Sequence, residues 1–63
     1  MKVKCIDNKR LQSKLTIGKI YNVITIHNNI WKEGNFLDCY YIECDDKKCR
    51  SYPKYRFELI KGE

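Results

Sequence analysis

Polar and apolar residues alternate along this chain with a period of two, and no helical stripe competes with that pattern. Lys2-Val3-Lys4-Cys5-Ile6 alternates cleanly, and "DNKRLQSK" then interrupts with loop chemistry. In "LTIGKIYNVITI", Gly18 marks a bend, after which Ile20, Val23, Ile24 and Ile26 supply β-branched strand formers around Tyr21. "HNN" and "KEGN" read as turns around Ile30 and Trp31. "FLDCYYIEC", residues 36–44, is the most strand-like segment, with Tyr40, Ile42 and Cys44 on the inward face and Cys39, Tyr41 and Glu43 on the outward one. Asp45-Asp46-Lys47-Lys48 reads as a tight hairpin turn leading into a fourth strand that ends at Tyr52. Pro53 cannot donate to a ladder, so "PKYR" becomes a single 3₁₀ turn before a short last strand, Phe57 to Ile60.

Five short strands with a long first loop, an intermediate second loop, a tight hairpin and a one-turn corner describe an all-β, five-stranded SH3-like barrel. Closing the sheet on itself removes exposed edges. An OB-fold needs a longer chain and a helix before its fourth strand. The 63 residues form a single domain over 1–63, one that buries roughly 60% of its unfolded surface. A hydrophobic fraction of 43% argues against disorder despite 33% charged residues. "MKVKC" lacks a signal-peptide core and no apolar run is long enough to span a membrane, which predicts a cytoplasmic protein with no membrane partner.

Charge is segregated along the chain. Residues 1–20 carry six Lys/Arg against Asp7, and residues 47–63 carry six against Glu58 and Glu63. The middle, 21–46, has Lys32 against five acids. The balances are +5, +4 and −4, within a total of +5. If the two ends pack together, one side is basic and the other acidic, which suits either a solvated surface or a docking face for phosphate or an acidic protein.

Two segments carry a family resemblance. "LTIGKIYNV" (15–23) and "SYPKYRFEL" (51–59), with the opening "MKVKCIDN", resemble the LTxGKxYxV and YPxxRFE motifs of very small SH3-like proteins from phages and prophages of Gram-positive bacteria. The resemblance covers most of the chain except 27–36. It implies an SH3-like fold in an intracellular phage product, located in the host cytoplasm, and implies no activity.

Candidate chemistry is sparse. Cys5, Cys39, Cys44 and Cys49 are separated by 33, 4 and 4 residues and form no C-x₂-C zinc knuckle. A two-residue turn at Asp46-Lys47 would set Cys44 opposite Cys49, within reach of a strained bridge under oxidising conditions; otherwise the thiols are reduced and structural. His27, the single histidine, has no nucleophile assigned to it by any motif, and Asp45-Asp46 lie in a turn without the apolar surround that raises a general acid's pKa. No enzyme, cofactor or metal site is expected.

The eight aromatic residues exceed what one small core needs. The same two-residue turn places Tyr41 opposite Tyr52 and Glu43 opposite Arg50 on the outer side. Tyr, Trp and Arg dominate binding hot spots, so Trp31, Tyr41, Arg50, Tyr52, Lys54, Tyr55 and Arg56 are the candidate partner contacts. The basic "DNKRLQSK" loop and the missing tryptophan pair argue against proline-rich ligands of the eukaryotic SH3 type. The reading is a non-enzymatic phage accessory protein that binds a host protein and modulates or inhibits it, in host takeover or anti-defence. The alternative is a nucleic-acid-binding module that uses the basic face, with Tyr41 or Tyr52 as stacking platforms. An unpaired strand edge leaves room for a homodimer.

Overall fold

A computed structural model describes residues 1–61 of the chain. Glu63, which enters the charge balance of the C-terminal segment, lies outside the described residues. The fold is all-β: β1 (Lys2–Cys5), β2 (Ile20–Lys32), β3 (Asn35–Glu43), β4 (Cys49–Pro53), a 3₁₀ turn η1 (Lys54–Arg56) and β5 (Phe57–Ile60). All pairings are antiparallel, in the order β4-β3-β2-β1-β5. The chain ends therefore do come together, through β1 and β5. β4 and β5 lie at opposite ends of that order with no ladder between them, so the expected closure of the sheet on itself is not seen. No helix among the described residues is long and apolar enough to cross a membrane.

The core follows the alternation. Val3, Cys5, Leu15, Tyr21, Tyr40, Ile42, Cys44, Tyr52 and Phe57 form one buried cluster, with Leu11, Val23 and Ile26 packed against it. Phe57 is the aromatic hub, meeting Tyr21 edge-on at 6.4 Å and Tyr40 at 5.8 Å. Such T-shaped contacts add to the stabilisation from burial itself. Tyr40, Ile42 and Cys44 point inward as the period-2 reading requires. Cys39 departs from it: the outward position is fully buried, outside the main cluster, where β3 pairs with His27 on one side and Pro53 on the other.

Two turns differ from expectation, each for a backbone reason. The second loop is a two-residue turn, because β2 runs on to Lys32 instead of ending at "HNN". A register shift between His27 and Ile30 absorbs the polar residues as a bulge. Asn29 sits there at φ 60°, and its N–H donates to Asp38 Oδ1 at 3.0 Å. Asn tolerates this left-handed geometry through its short polar side chain. Glu33 and Gly34 then turn the chain with φ of 54° and 75°, the paired positive φ of a type I′ hairpin. At the other end, the β3–β4 hairpin closes on three residues. The Cys44 N–H donates to Lys48 O at 2.8 Å and the Lys47 N–H to Cys44 O at 3.0 Å, with Lys47 at φ 70°. That single left-handed residue shifts the register by one from the predicted two-residue turn.

The corrected register is Tyr40 opposite Tyr52, Tyr41 opposite Ser51, Ile42 opposite Arg50 and Glu43 opposite Cys49. Cys44 therefore does not face Cys49. All four cysteines are free, and Cys49 alone of them is exposed. The Cys44 thiol instead donates to Tyr52 Oη at 3.9 Å, inside the core.

The fourteen-residue first loop, 6–19, is anchored by Leu15, which is completely buried. Its N–H reaches Leu11 O at 2.9 Å, and its carbonyl accepts Asn8 Nδ2 at 2.9 Å. Leu15→Ala should cost about 2–5 kcal/mol, a large share of the roughly 3–9 kcal/mol that a chain of this length commands. Urea denaturation checks this, with Ser13→Ala on the exposed side of the same loop as the control. Equal midpoints for the two variants would contradict the anchoring role.

Candidate binding surface

The acidic residues at the β3–β4 hairpin do more than shape a turn. Asp45 Oδ1 accepts from Lys19 Nζ at 2.8 Å and from Tyr21 Oη at 2.9 Å, while Oδ2 accepts from Thr16 Oγ1 at 2.7 Å. The Asp45 N–H donates to Lys14 O at 2.8 Å, and the Thr16 N–H donates to Tyr21 Oη at 2.8 Å. One carboxylate thus ties the first loop to the hairpin through charge-assisted hydrogen bonds, the stronger class. The bonds from Lys19, Thr16 and Tyr21 hold the Asp45 carboxyl below its ordinary pKa. Asp46 accepts from Arg50 Nη1 at 2.8 Å and from the Lys48 N–H at 3.1 Å, with Lys14 Nζ 3.8 Å away. Arg50 above all holds its carboxyl at about 2.

A second polar cluster lies around η1. Arg56 Nη1 is 3.2 Å from Asp7 Oδ1, and Nη2 is 3.4 Å from Glu33 Oε2. Tyr55 Oη donates a short hydrogen bond to Glu33 Oε1, which raises the Tyr55 pKa. The tip of the β2–β3 hairpin is thereby fastened to the 3₁₀ turn. The sequence-level charge segregation is largely resolved inside the fold, because Asp7, Glu33, Asp45 and Asp46 are all engaged by cations from the basic ends.

The seven predicted contacts separate accordingly. Trp31 is exposed, 63% accessible, and meets Phe36 edge-on at 4.9 Å. Tyr55 is also exposed. Lys54 is half-buried with its Nζ 5.3 Å over the Tyr40 ring. Tyr41 is half-buried on the outer face, 5.0 Å from the His27 ring, and His27 Nδ1 is in hydrogen-bonding contact with Ser51 Oγ at 2.7 Å. Arg50 does not pair with Glu43; it is held by Asp46. Arg56 has only 11% of its side chain accessible. Tyr52 is a correction. It is buried in the core, and burial pushes its hydroxyl up to about 12, so it offers no stacking platform. The register shift explains this, since it exchanges the faces of β4.

Of the predicted contacts, Tyr55 and Arg56 are brought together at Glu33, two residues along the hairpin from Trp31, while Arg50 is held at the other hairpin by Asp46. Phe36 was not among the predicted contacts, although Trp31 and Phe36 are symmetric about the Glu33-Gly34 turn and the hairpin register pairs them. Lys9 and Arg10 were also missed; they line a groove beside Tyr55. Among the described residues no three His, Cys, Asp or Glu side chains come together as a metal site. Compared with known protein families, characterised proteins and solved structures, the chain matches none of them.

The depressed carboxyls set an acid limit. A carboxylate with a lowered folded pKa contributes stability above its unfolded value and gives it up as pH falls through the folded value. Stability should therefore decline between pH 3.8 and about 2, and Asp46→Asn should flatten that decline. Urea midpoints measured across the window check this; an unchanged slope in the variant would contradict it.

Proposed function

We propose that this protein acts by binding rather than by catalysis, engaging another protein through the end of the β2–β3 hairpin. The observation that carries the reading is the Trp31–Phe36 pair. Both rings are more than half exposed, at 63% and 58%, and meet edge-to-face outside the core cluster. A small domain gains little stability from two aromatic side chains left in water, whereas large apolar rings are the usual anchors of protein interfaces. Tyr55 and Lys54 lie on the adjoining 3₁₀ turn and extend the surface with polar contacts.

The strand order, the long first loop and the 3₁₀ turn before β5 support an SH3-like architecture, and the LTxGKxYxV and YPxxRFE motifs support a phage origin. On that basis the partner is a host protein, which the chain modulates or inhibits. Nucleic acid is the less favoured ligand, because Tyr52 is buried and the cations Lys14, Lys19, Arg50 and Arg56 already pair with carboxylates.

Trp31→Ala should weaken partner binding by on the order of 2 kcal/mol or more while leaving the fold intact. Affinity capture from host lysate checks this, with nuclease and at low and high salt. The expected result is one protein retained after both treatments by the wild type and lost with Trp31→Ala and Phe36→Ala. Retention of the same protein by both variants would refute the aromatic surface. Recovery that depends on nucleic acid and fails at high salt would favour the basic-face reading.

A further inference from the structure

A groove of about 330 Å³ lies between the first loop and η1, lined by Lys9, Arg10, Leu11, Glu33, Tyr55 and Arg56. Three of these side chains are cationic and one is acidic; Asp7 stands behind Arg56 and offsets part of its charge. Neither Lys9 nor Arg10 makes a side-chain ion pair among the described residues, and both are exposed. Arg10 is held at φ 64°, a left-handed conformation that costs an arginine roughly 1–2 kcal/mol. That geometry sets an unpaired guanidinium at the rim of the groove, and strained residues of this kind concentrate at binding sites.

The groove already contains a carboxylate. Glu33 Oε1 accepts from Tyr55 Oη and Oε2 lies 3.4 Å from Arg56 Nη2, so a phenol and a guanidinium hold the two oxygens. The Arg56 guanidinium in turn lies 5.5 Å over the Tyr55 ring, and the Lys9 carbonyl lies 3.4 Å from Arg56 Nη1. This is a built carboxylate site, occupied from within by the tip of the β2–β3 hairpin. The Lys9 backbone N–H donates to Asp7 Oδ1 at 3.0 Å, but among the described residues the Lys9 and Arg10 side chains pair with no carboxylate.

We propose that this groove receives an acidic peptide segment of the protein partner, an assignment that rests on the protein-binding reading above. Arg10 and Lys9 contact its carboxylates, and Leu11 with the exposed Tyr55 ring contacts an apolar side chain among them. Glu33 is an internal stand-in that competes for Tyr55 and Arg56 in the free protein. Because Trp31 lies two residues from Glu33 on the same hairpin, one partner segment can engage both the aromatic pair and the groove.

The test uses a fluorescein-labelled peptide of Glu, Asp and Leu, its Gln/Asn/Leu counterpart, and a single-stranded oligothymidylate. Anisotropy gives affinities and ¹⁵N shift mapping gives the site. The acidic peptide should shift the amides of Lys9, Arg10, Leu11, Glu33, Tyr55 and Arg56, and the amide counterpart should not. Arg10→Glu should lower affinity about tenfold, whereas Glu33→Gln should raise it about threefold to fivefold by removing the internal competitor. Retained amide spectra establish that both variants fold. Absence of shifts in the groove, unchanged affinity in both variants, or tighter binding of the oligonucleotide to the same amides would overturn the proposal. If Arg10→Glu retains the captured host protein while Trp31→Ala loses it, the groove assignment falls and the protein-binding reading stands. If the groove binds the peptide but Trp31→Ala retains the host protein, the aromatic surface falls instead.

Discussion

The structure depends on the Asp45 carboxylate. A fourteen-residue loop between β1 and β2 carries a closure cost that grows with its length, and it must also present Leu15 to the core. Three donors from that loop and the start of β2 converge on one carboxylate at 2.7–2.9 Å. Tyr21 gives the arrangement its leverage, since its ring packs in the core against Phe57 while its hydroxyl accepts the Thr16 N–H and donates to Asp45. Loop, core and hairpin are therefore fixed by one connected set of bonds. A partly buried network of this kind has consequences beyond its pairwise energies, because each member orients the next.

The same use of carboxylates holds the other loops and turns together. Asp7 and Glu33 secure Arg56, and Asp46 secures Arg50. Four acids and several cations that look like opposing surfaces in the sequence are spent on holding loops to one another. Among the side chains outside these contacts are the exposed Trp31 and Phe36 rings, which meet edge-on at the hairpin end, and those of Lys9 and Arg10, which line the groove beside η1. The contacts of Glu33 with Tyr55 and Arg56 fasten the tip of the β2–β3 hairpin to the 3₁₀ turn.

The strands, the 3₁₀ turn and most of the core were legible because alternation and Pro53 are local signals. Tyr40, Ile42 and Cys44 point inward as their spacing requires. Register was not legible, because it turned on Lys47 adopting a left-handed φ, which a glycine would have announced and a lysine does not. That one residue moved Tyr52 into the core and separated Cys44 from Cys49. The continuation of β2 was hidden for a related reason: Asn29 carries a genuine turn conformation, but the ladder absorbs it as a bulge. The role of Asp45 was out of reach altogether. Its partner Thr16 is 29 residues away, and nothing local distinguishes a turn aspartate from an anchoring one. Trp31 stood out in the sequence by residue type alone, whereas its pairing with Phe36 required the hairpin register.

Amide hydrogen exchange in Asp45→Ala, compared with the wild type, tests the central role of this carboxylate most directly. The Thr16, Gly18 and Lys19 amides bond to Tyr21 Oη, Cys5 O and Thr16 O respectively, and they report on the pinned segment of the first loop. The structure predicts that these amides lose protection in the variant while those in the middle of β3, such as Ile42 and Tyr40, keep most of theirs. Unchanged protection at Thr16 and Gly18 would contradict the account and show that Leu15 and the backbone turns hold the loop without the carboxylate.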